Sequence, residues 1–224
     1  MVGLPERLQA VAGRVAAAAL EAGRRPDDIR IVAVSKTFSP DRIREAFVAG
    51  QRDFGENYVQ EALEKLDALA DLPIIWHYIG PIQGNKTRTI AERFQWVHSV
   101  DRLKIAERLS AQRPPHLPPL DVCLQVNVSG EESKSGVAPV AVRPLAAAVA
   151  QLPGLRLRGL MAIPEPTDDV ALQRSRFATL RHLRDATGLA LDTLSMGMSD
   201  DLESAVAEGA TIVRIGRAIF GDRG

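Results

Sequence analysis

The feature that most restricts how this chain can fold is an alternation of short β-branched segments with longer helical segments, repeated eight times. The first short segment is IRIVAVS at 29–35, and the clearest is DVCLQVNV at 121–128. Apolar runs of roughly four to eight residues that are rich in Val and Ile are typical of buried strands. The predicted strands lie at 29–35, 52–57, 74–80, 96–100, 121–128, 155–163, 193–197 and 211–216.

Strands that alternate with helices pair in parallel and are joined by right-handed crossovers. Eight such units predict a (β/α)8 TIM barrel, and an extra N-terminal helix at 4–22 would cap the barrel or pack beside it. The alternative is a doubly wound open sheet, which is disfavoured because no G-x-G-x-x-G motif follows the first strand. The intervening helices are predicted at 40–49, 58–70, 85–94, 102–112, 140–151, 170–187 and 200–209.

The length and composition exclude several classes of protein. No long linker divides the 224 residues, so we expect a single domain over 1–224. Lys and Arg total 28 and Asp and Glu total 28, and this zero net charge argues against a binder of nucleic acid or of membrane surfaces. The single cysteine, Cys123, fits a reducing compartment. Neither a signal peptide nor an apolar run of ~18 residues is evident, so we expect a cytoplasmic protein.

Lys36 ends the apolar run VAVSKT at 32–37, just before a predicted turn. Burying an ammonium without a partner is costly, and a lysine in that position tends to lose its proton. A neutral amine is a nucleophile towards aldehydes. In (β/α)8 barrels the functional residues lie after the carboxyl ends of the strands, which is where Lys36 is predicted. The alternative is an ordinary lysine at the start of a surface loop.

Two glycine-containing loops are predicted beside Lys36. They are SMGMSDD at 195–201 and IGRAIFG at 215–221, after strands 7 and 8, where this fold frequently binds phosphate. Ser199 is predicted to cap the following helix, and helix N-termini favour anions. Closure of the barrel puts strand 7 two strand spacings from strand 1, which is roughly 10 Å. A small ligand with a phosphate at one end and an aldehyde at the other would fit, and pyridoxal phosphate has that shape.

Arg214 is predicted to point into the barrel. In TIVRIG at 211–216, alternation puts Ile212 and Arg214 on one face of the strand. A buried arginine needs a partner, and one interpretation is a structural ion pair with an inward carboxylate. The other is a donor to the pyridine nitrogen of the ligand. Because arginine keeps its proton, that nitrogen would stay unprotonated and the ring would be a poor electron sink.

Other candidate signals are weaker. GPIQGNKT at 80–87 lacks the spacing of a nucleotide-binding loop. His77 is predicted near the end of a strand, as either a pocket residue or a satisfied core histidine, whereas His98 and Cys123 are expected to pack in the core. The histidines lack metal-binding spacing, so we expect no metal site; they are His77, His98, His116 and His182.

Six segments together resemble the pyridoxal phosphate homeostasis family, the single-domain relatives of the alanine racemase barrel. The resemblance runs from about Arg30 to Gly221 in the expected order. The segments are VAVSKT (32–37), FGENYVQE (54–61), WHYIGPIQGNK (76–86), NVSGEESKSG (127–136), SMGMSDDLESAVAEGAT (195–211) and VRIGRAIFG (213–221).

The resemblance implies a set of cofactor-binding residues. Lys36 would form a Schiff base with pyridoxal 5′-phosphate, and Arg214 would face the pyridine nitrogen. The other implied residues are Asn57 and His77 near the cofactor, and Met198, Ser199, Gly216 and Arg217 around the phosphate. Lys134 matches a second lysine of the family. The family often has threonine where Arg217 stands, so a hydroxyl contact to phosphate is replaced here by a guanidinium or lost.

Three functions fit this chemistry. The first is a protein that stores, buffers or delivers pyridoxal phosphate without substantial catalysis. The second is an amino-acid racemase, and the third is a Schiff-base aldolase in which Lys36 attacks the substrate directly. Racemisation needs a second base, which in the racemase relatives is a tyrosine of a separate C-terminal domain, and the chain ends at Gly224. We therefore expect a non-enzymatic, monomeric carrier that makes transient contact with apo-enzymes that depend on this cofactor.

Overall fold

Within residues 3–130 and 135–221, which the computed structural model describes, eight parallel strands form one closed barrel. The strands are β1 (Arg30–Val34), β2 (Asp53–Glu56), β3 (Ile75–Tyr78), β4 (Trp96–Val100), β5 (Leu120–Gln125), β6 (Leu155–Met161), β7 (Thr193–Ser195) and β8 (Ile212–Ile215). The helices are α1 (Leu4–Glu21), α2 (Pro40–Val48), α3 (Val59–Ala68), α4 (Thr87–Arg93), α5 (Leu103–Gln112), α6 (Val142–Val149), α7 (Val170–Ala186), α8 (Leu202–Ala207) and α9 (Arg217–Phe220). The predicted (β/α)8 barrel is confirmed.

Pairing of β1 with β8 closes the barrel. Val32 lies opposite Arg214, and Ala33 lies opposite Ile215. This register brings the carboxyl end of β1, and the residues that follow it, next to the loop after β8. The predicted neighbourhood of Lys36 and the strand 8 loop is therefore present.

The N-terminal helix α1 packs beside the barrel, against α2, α8 and α9. Its buried residues recur at the spacing of one helix face, at Leu4, Leu8, Val11 and Val15. On the same side of the molecule, Arg14 forms an ion pair with Glu203 of α8. Of the two placements expected for this helix, the structure therefore shows packing beside the barrel.

One helix boundary and one additional helix near the end of the chain differ from the sequence prediction. The helix predicted at 200–209 begins at Leu202, so the loop after β7 is longer than expected. The short helix α9, which begins directly after Gly216, was not predicted. Four residues are too few to show an apolar periodicity, so the sequence pattern carried no signal for α9.

The interior of the barrel is filled by side chains that alternate with those facing the helices. One buried group comprises Val32, Trp96, Cys123, Met161 and Ile212. Burial raises the pKa of the Cys123 thiol, which makes it a poor nucleophile. In the described part of the chain, no helix combines the length and the apolar character needed to cross a bilayer.

Candidate functional site

A cavity of about 430 Å³ opens at the carboxyl ends of β1 and β8. Six of the residues predicted from the sequence line it together: Lys36, Met198, Ser199, Arg214, Gly216 and Arg217. Val34, Phe38, Asp200 and Gly221 complete the lining. The cavity therefore brings the lysine, a buried arginine and both glycine-containing loops to one place.

A tight turn presents Lys36 to the cavity. The Phe38 N–H donates to the Ser35 carbonyl oxygen at 3.1 Å, so Lys36 and Thr37 are the two central residues of the turn. Thr37 has φ +71°, as the second central residue of a type II turn requires. After the turn, the Phe38 ring stacks on Phe220 with 4.7 Å between centroids, and this contact supports one wall of the cavity.

The loop after β7 forms the opposite wall. Gly197 has φ +94°, and a Cβ atom there would lie 2.6 Å from the Ala205 Cβ, so only glycine fits this bend. The Met198 N–H donates to Asp201 Oδ1 at 2.6 Å, which fixes the loop against the start of α8. The Ser199 carbonyl oxygen accepts a bond from Arg14 at 3.0 Å. The loop is thus held from two sides.

The prediction that Ser199 caps the helix after strand 7 was wrong. Asp201 occupies the N-cap position of α8, because the helix starts two residues later than predicted. The Ser199 hydroxyl oxygen instead accepts a bond from the Ala218 N–H of α9 at 3.4 Å. Ser199 therefore links the loop after β7 to the loop after β8, and it still lines the cavity.

The loop after β8 contributes Gly216 and Arg217. The three atoms nearest to a Cβ atom on Gly216 would all belong to Val34, at an ordinary contact distance of 3.5 Å or more. Arg217 lies at the rim with 60% of its side chain exposed, and its guanidinium pairs with Asp200 at 2.5 Å. The structure thus places Arg217 on the cavity, paired with a carboxylate of the facing loop.

Arg214 is buried at the inner end of the cavity. Its Nη1 donates to Ser195 Oγ at 2.7 Å, and its Nη2 donates to the Ala162 carbonyl oxygen at 2.9 Å. Burial lowers the pKa of Arg214 to about 10, so the side chain remains a cation at neutral pH. Among the described residues, no carboxylate forms a salt bridge with it. The predicted ion-pair alternative is therefore not found.

A chain of buried hydrogen bonds runs from Arg214 through the barrel. Ser195 Oγ lies 2.7 Å from His98 Nδ1, His98 Nε2 lies 2.9 Å from His77 Nδ1, and His77 Nε2 lies 2.9 Å from Asp53 Oδ1. The arginine can only donate and an ionised carboxylate can only accept. With both histidines neutral, each group in the chain donates to the next one in the direction of Asp53, away from the cavity. Each imidazole ring therefore carries its hydrogen on Nε2.

His77 and Asn57 were both expected near the cofactor, and neither lines the cavity. His77 is fully buried in the barrel, and both of its ring nitrogens are committed to Asp53 and His98. It is the satisfied core histidine of the two interpretations. The Asn57 side-chain oxygen is buried without a hydrogen-bond partner, just after β2. Lys134 lies outside the described residues.

Four residues of the cavity were not singled out by sequence: Val34, Phe38, Asp200 and Gly221. Val34 and Phe38 lie two residues before and two residues after Lys36, so their closeness to Lys36 along the chain could have identified them as lining residues. Ser195 was also missed, although it is the direct partner of Arg214. Alternation along β7 predicts that Ser195 points into the barrel. Its donor, Arg214, lies on the neighbouring strand β8, so the pattern along β7 alone does not reveal this partner.

The two buried histidines predict a loss of stability in acid. Burial lowers the pKa of His77, and burial together with the nearby cations lowers that of His98 well below 6.5. The unfolded chain therefore binds more protons, and stability is complete above about pH 6.5 and falls as the pH decreases below it. Each histidine contributes at most about 1.4 kcal/mol per pH unit.

Urea unfolding between about pH 7.5 and pH 5 measures this effect. We expect His98→Gln to unfold with a shallower dependence on pH than the wild type, although it is less stable at neutral pH. The matched control is His182→Gln, since His182 is exposed on α7. An unchanged slope in His98→Gln would contradict the neutral, buried state of His98.

The fold and the cavity define a class of protein: an α/β barrel with a lysine after its first strand, facing a buried arginine and the loops after its last two strands. A family model described as the alanine racemase N-terminal domain matches residues 7–224. The chain belongs to the pyridoxal phosphate homeostasis protein family. A member from Pseudomonas aeruginosa is 65% identical over 100% of this chain and 97% of that protein.

Two further relatives agree with this placement. The pyridoxal phosphate homeostasis protein of Escherichia coli K12 is 50% identical over 100% of this chain and 98% of its own length. The structure of PipY from Synechococcus elongatus, described as having PLP bound, is 38% identical with a TM-score of 0.85. It covers 98% of this chain and 100% of PipY. The expected family is therefore confirmed.

Proposed function

We propose that this chain binds pyridoxal 5′-phosphate through Lys36 and takes part in intracellular homeostasis of the cofactor by storing, buffering or delivering it. The observation that carries the proposal is the single cavity that unites Lys36, Arg214 and the two loops. Its volume lies within the range of about 300–1,000 Å³ that is usual for sites of small ligands. The PLP-bound PipY, with the same fold and similar length, supports the same ligand here.

The residues present fit this cofactor, which supplies an aldehyde that condenses with a primary amine and a phosphate that accepts hydrogen bonds. Lys36 provides the amine: its Nζ bonds to the aldehyde carbon, and the aldehyde oxygen leaves as water with the two amine protons. Met198, Ser199 and Gly216 offer a wall of backbone for the phosphate, and Arg217 adds a cation at the rim. Asn57 remains a proposed neighbour of the ligand.

Arg214 controls the opposite end of the site. Because it is a cation whose N–H groups only donate, it faces the pyridine nitrogen as a donor and keeps that nitrogen unprotonated. The bonds to Ser195 and Ala162 fix the direction of the guanidinium. The ring is thereby held in a state that withdraws electrons poorly, which suits holding the cofactor more than turning over a substrate.

A second base is not evident at the cavity, and this favours a carrier over a racemase. Among the described lining residues, the titratable side chains are those of Lys36, Asp200, Arg214 and Arg217. Arginine stays protonated, and Asp200 is paired with Arg217 at the rim. Two-base racemisation needs a second group that can exchange a proton near neutral pH. The names of the curated relatives likewise describe homeostasis, not catalysis.

The wider role follows from the same proposal. The chain acts in the cytoplasm as one cofactor-binding domain over 1–224, as a monomer, with no role for nucleic acid or membranes. It passes its cofactor to apo-enzymes through transient contacts. The zero net charge and the absence of a membrane-spanning helix among the described residues support this setting.

Titration of the purified protein with pyridoxal phosphate tests the function. We expect a saturable, stoichiometric visible absorbance change from the Schiff base, and no measurable conversion of D- to L-alanine or D- to L-serine by the saturated protein. Turnover near the typical enzyme value of ~10 s⁻¹ would refute the carrier role and indicate a base outside the described residues. Absence of the absorbance change would refute binding through a lysine.

A further inference from the structure

A buried lysine that does not line the cavity lies behind the turn that carries Lys36. Lys65 of α3 is 3% exposed. Its Nζ donates to the Ser35 carbonyl oxygen at 2.7 Å, to Glu56 Oε1 at 2.8 Å and to Glu61 Oε1 at 2.5 Å. An ammonium has three donors, so all of them are used. We call Glu56, Glu61 and Lys65 the Lys65 cluster.

The Lys65 cluster contacts the backbone on both sides of Lys36. On the N-terminal side, the Ser35 carbonyl oxygen accepts a bond from Lys65 Nζ, and the Ser35 hydroxyl donates to Glu56 Oε1 at 2.6 Å. On the C-terminal side, the Thr37 N–H donates to Glu61 Oε1. The residues before and after Lys36 are therefore tied to the same three charged side chains.

The turn held in this way is strained. In residues 3–130 and 135–221, Thr37 is the one non-glycine residue with positive φ, at +71°. A β-branched residue in this region is a genuine outlier, since its Cβ crowds the backbone. Such conformations persist only where the surrounding structure enforces them, and they concentrate at functional sites. The hydrogen bond from the Thr37 N–H to Glu61 is one of the contacts that enforce the positive φ of Thr37.

The arrangement also differs from an ordinary buried ion pair. Lys65 uses one of its three donors for the Ser35 carbonyl oxygen of the turn, and Glu61 Oε1 accepts a hydrogen bond from the Thr37 N–H of the same turn. A cluster that served only to fasten α3 to the barrel would not need both of these contacts. Charge-assisted hydrogen bonds of this kind are stronger and more directional than neutral ones.

We propose that the Lys65 cluster positions Lys36, by holding the strained turn in the conformation from which the Lys36 amine reaches the aldehyde of its ligand. This inference rests on the proposed function. It makes Glu56, Glu61 and Lys65 positioning residues, which act on the ligand only through the turn. The phosphate contacts, which come from the loops after β7 and β8, do not depend on them.

Two ligands separate positioning from general damage. Pyridoxal phosphate reports the Lys36 bond and the phosphate contacts together, whereas pyridoxine phosphate, which has a hydroxymethyl group in place of the aldehyde, reports the phosphate and ring contacts alone. For Glu61→Ala we expect the Kd for pyridoxal phosphate to rise about tenfold or more, the effect of one charge-assisted hydrogen bond. The Kd for pyridoxine phosphate should change by less than about twofold.

The control is Glu64→Ala, which makes the same substitution at an exposed position of α3 and should leave both affinities unchanged. Lys65→Met should have the larger effect on pyridoxal phosphate, but it leaves the Glu56 carboxylate buried without its partner and can fail to fold. Glu61→Ala retains the Lys65–Glu56 pair, so it remains informative in that event. Circular dichroism establishes that each variant is folded.

The most direct test is whether a glycine at position 37 restores the affinity for pyridoxal phosphate that Glu61→Ala loses. Glycine adopts positive φ without crowding, so Thr37→Gly should allow the turn to form without the cluster. We expect the added Thr37→Gly substitution to restore most of the pyridoxal phosphate affinity lost in Glu61→Ala. Equal losses for both ligands, wild-type affinity in Glu61→Ala, or failure of the rescue would overturn the inference. If the wild-type protein forms no Schiff base, it is the proposed function that fails.

Discussion

Lys36→Ala is expected to abolish covalent attachment of pyridoxal phosphate while part of the binding remains. Without the amine no Schiff base can form, but Arg214 and the loops after β7 and β8 still line the cavity. The visible absorbance change should disappear completely. Borohydride reduction of the wild-type complex, followed by peptide mass mapping, should find the pyridoxyl group on Lys36, and Lys36→Ala should give no such peptide.

The control for this experiment is Lys86→Ala. Lys86 lies in the loop that follows the carboxyl end of β3, but it does not line the cavity. Its removal should leave both the absorbance and the labelled peptide unchanged. A stable adduct found on Lys86 or Lys134 and not on Lys36 would contradict the assignment of the cofactor-binding lysine.

Gly216→Val should weaken binding of pyridoxal phosphate on the order of tenfold to a hundredfold, since overpacking of a filled site costs about 1–3 kcal/mol. The two added methyl groups would occupy the wall between the loops after β7 and β8, where we place the phosphate. The fold should survive, because the three atoms nearest to a Cβ atom at Gly216 belong to Val34 and lie at ordinary distances of 3.5 Å or more. Titration with the cofactor measures the effect, and circular dichroism checks the fold.

The same substitution at Gly84 gives a matched control. Gly84 lies in the loop after β3, and a Cβ atom there would approach only the end of the Arg108 side chain, at 3.8 Å. Gly84→Val should therefore bind the cofactor like the wild type. If Gly216→Val binds with wild-type affinity, the phosphate lies elsewhere, and the proposed role of Met198 and Ser199 is wrong as well.

These two predictions test opposite ends of one ligand. Lys36 reports the aldehyde end, and Gly216 reports the phosphate end. Losing the first should remove a covalent bond and its absorbance, while losing the second should reduce affinity for pyridoxal phosphate and pyridoxine phosphate alike. The Lys65 cluster adds a third pattern, in which the covalent bond weakens and the phosphate contacts stay intact. The three sets of variants therefore distinguish the three parts of the site.

The fold could be predicted from the sequence because its determinants are local. Each strand and helix shows its own periodicity, and eight alternating units leave few topologies other than a closed parallel barrel. The same rule placed Lys36 after the first strand, and alternation within 211–216 placed Arg214 inside the barrel. The glycines of the last two loops marked the wall of the cavity for the same reason, since backbone that bends or is closely approached needs glycine.

What only the tertiary structure decided are the partners of those residues. Arg214 bonds to Ser195 of β7 and to Ala162, which directly follows β6, and the hydrogen-bond chain continues from Ser195 through His98 and His77. The sequence left open whether His77 lies at the pocket or in the core, because the neighbours of a residue in a closed barrel depend on the relative shift of adjacent strands. Periodicity within one strand does not report that shift.

The two remaining surprises have the same origin. The Ser199 hydroxyl accepts a bond from the Ala218 N–H of α9 and does not cap α8, because the two loops meet only when β7 and β8 are paired. Lys65, which no sequence motif marks, is buried against the turn of Lys36. The sequence by itself determined the barrel, the lysine at its mouth and the loops beside it, since these depend on neighbours along the chain. The orientation of each group depends on contacts across the chain, which exist only after the barrel has closed.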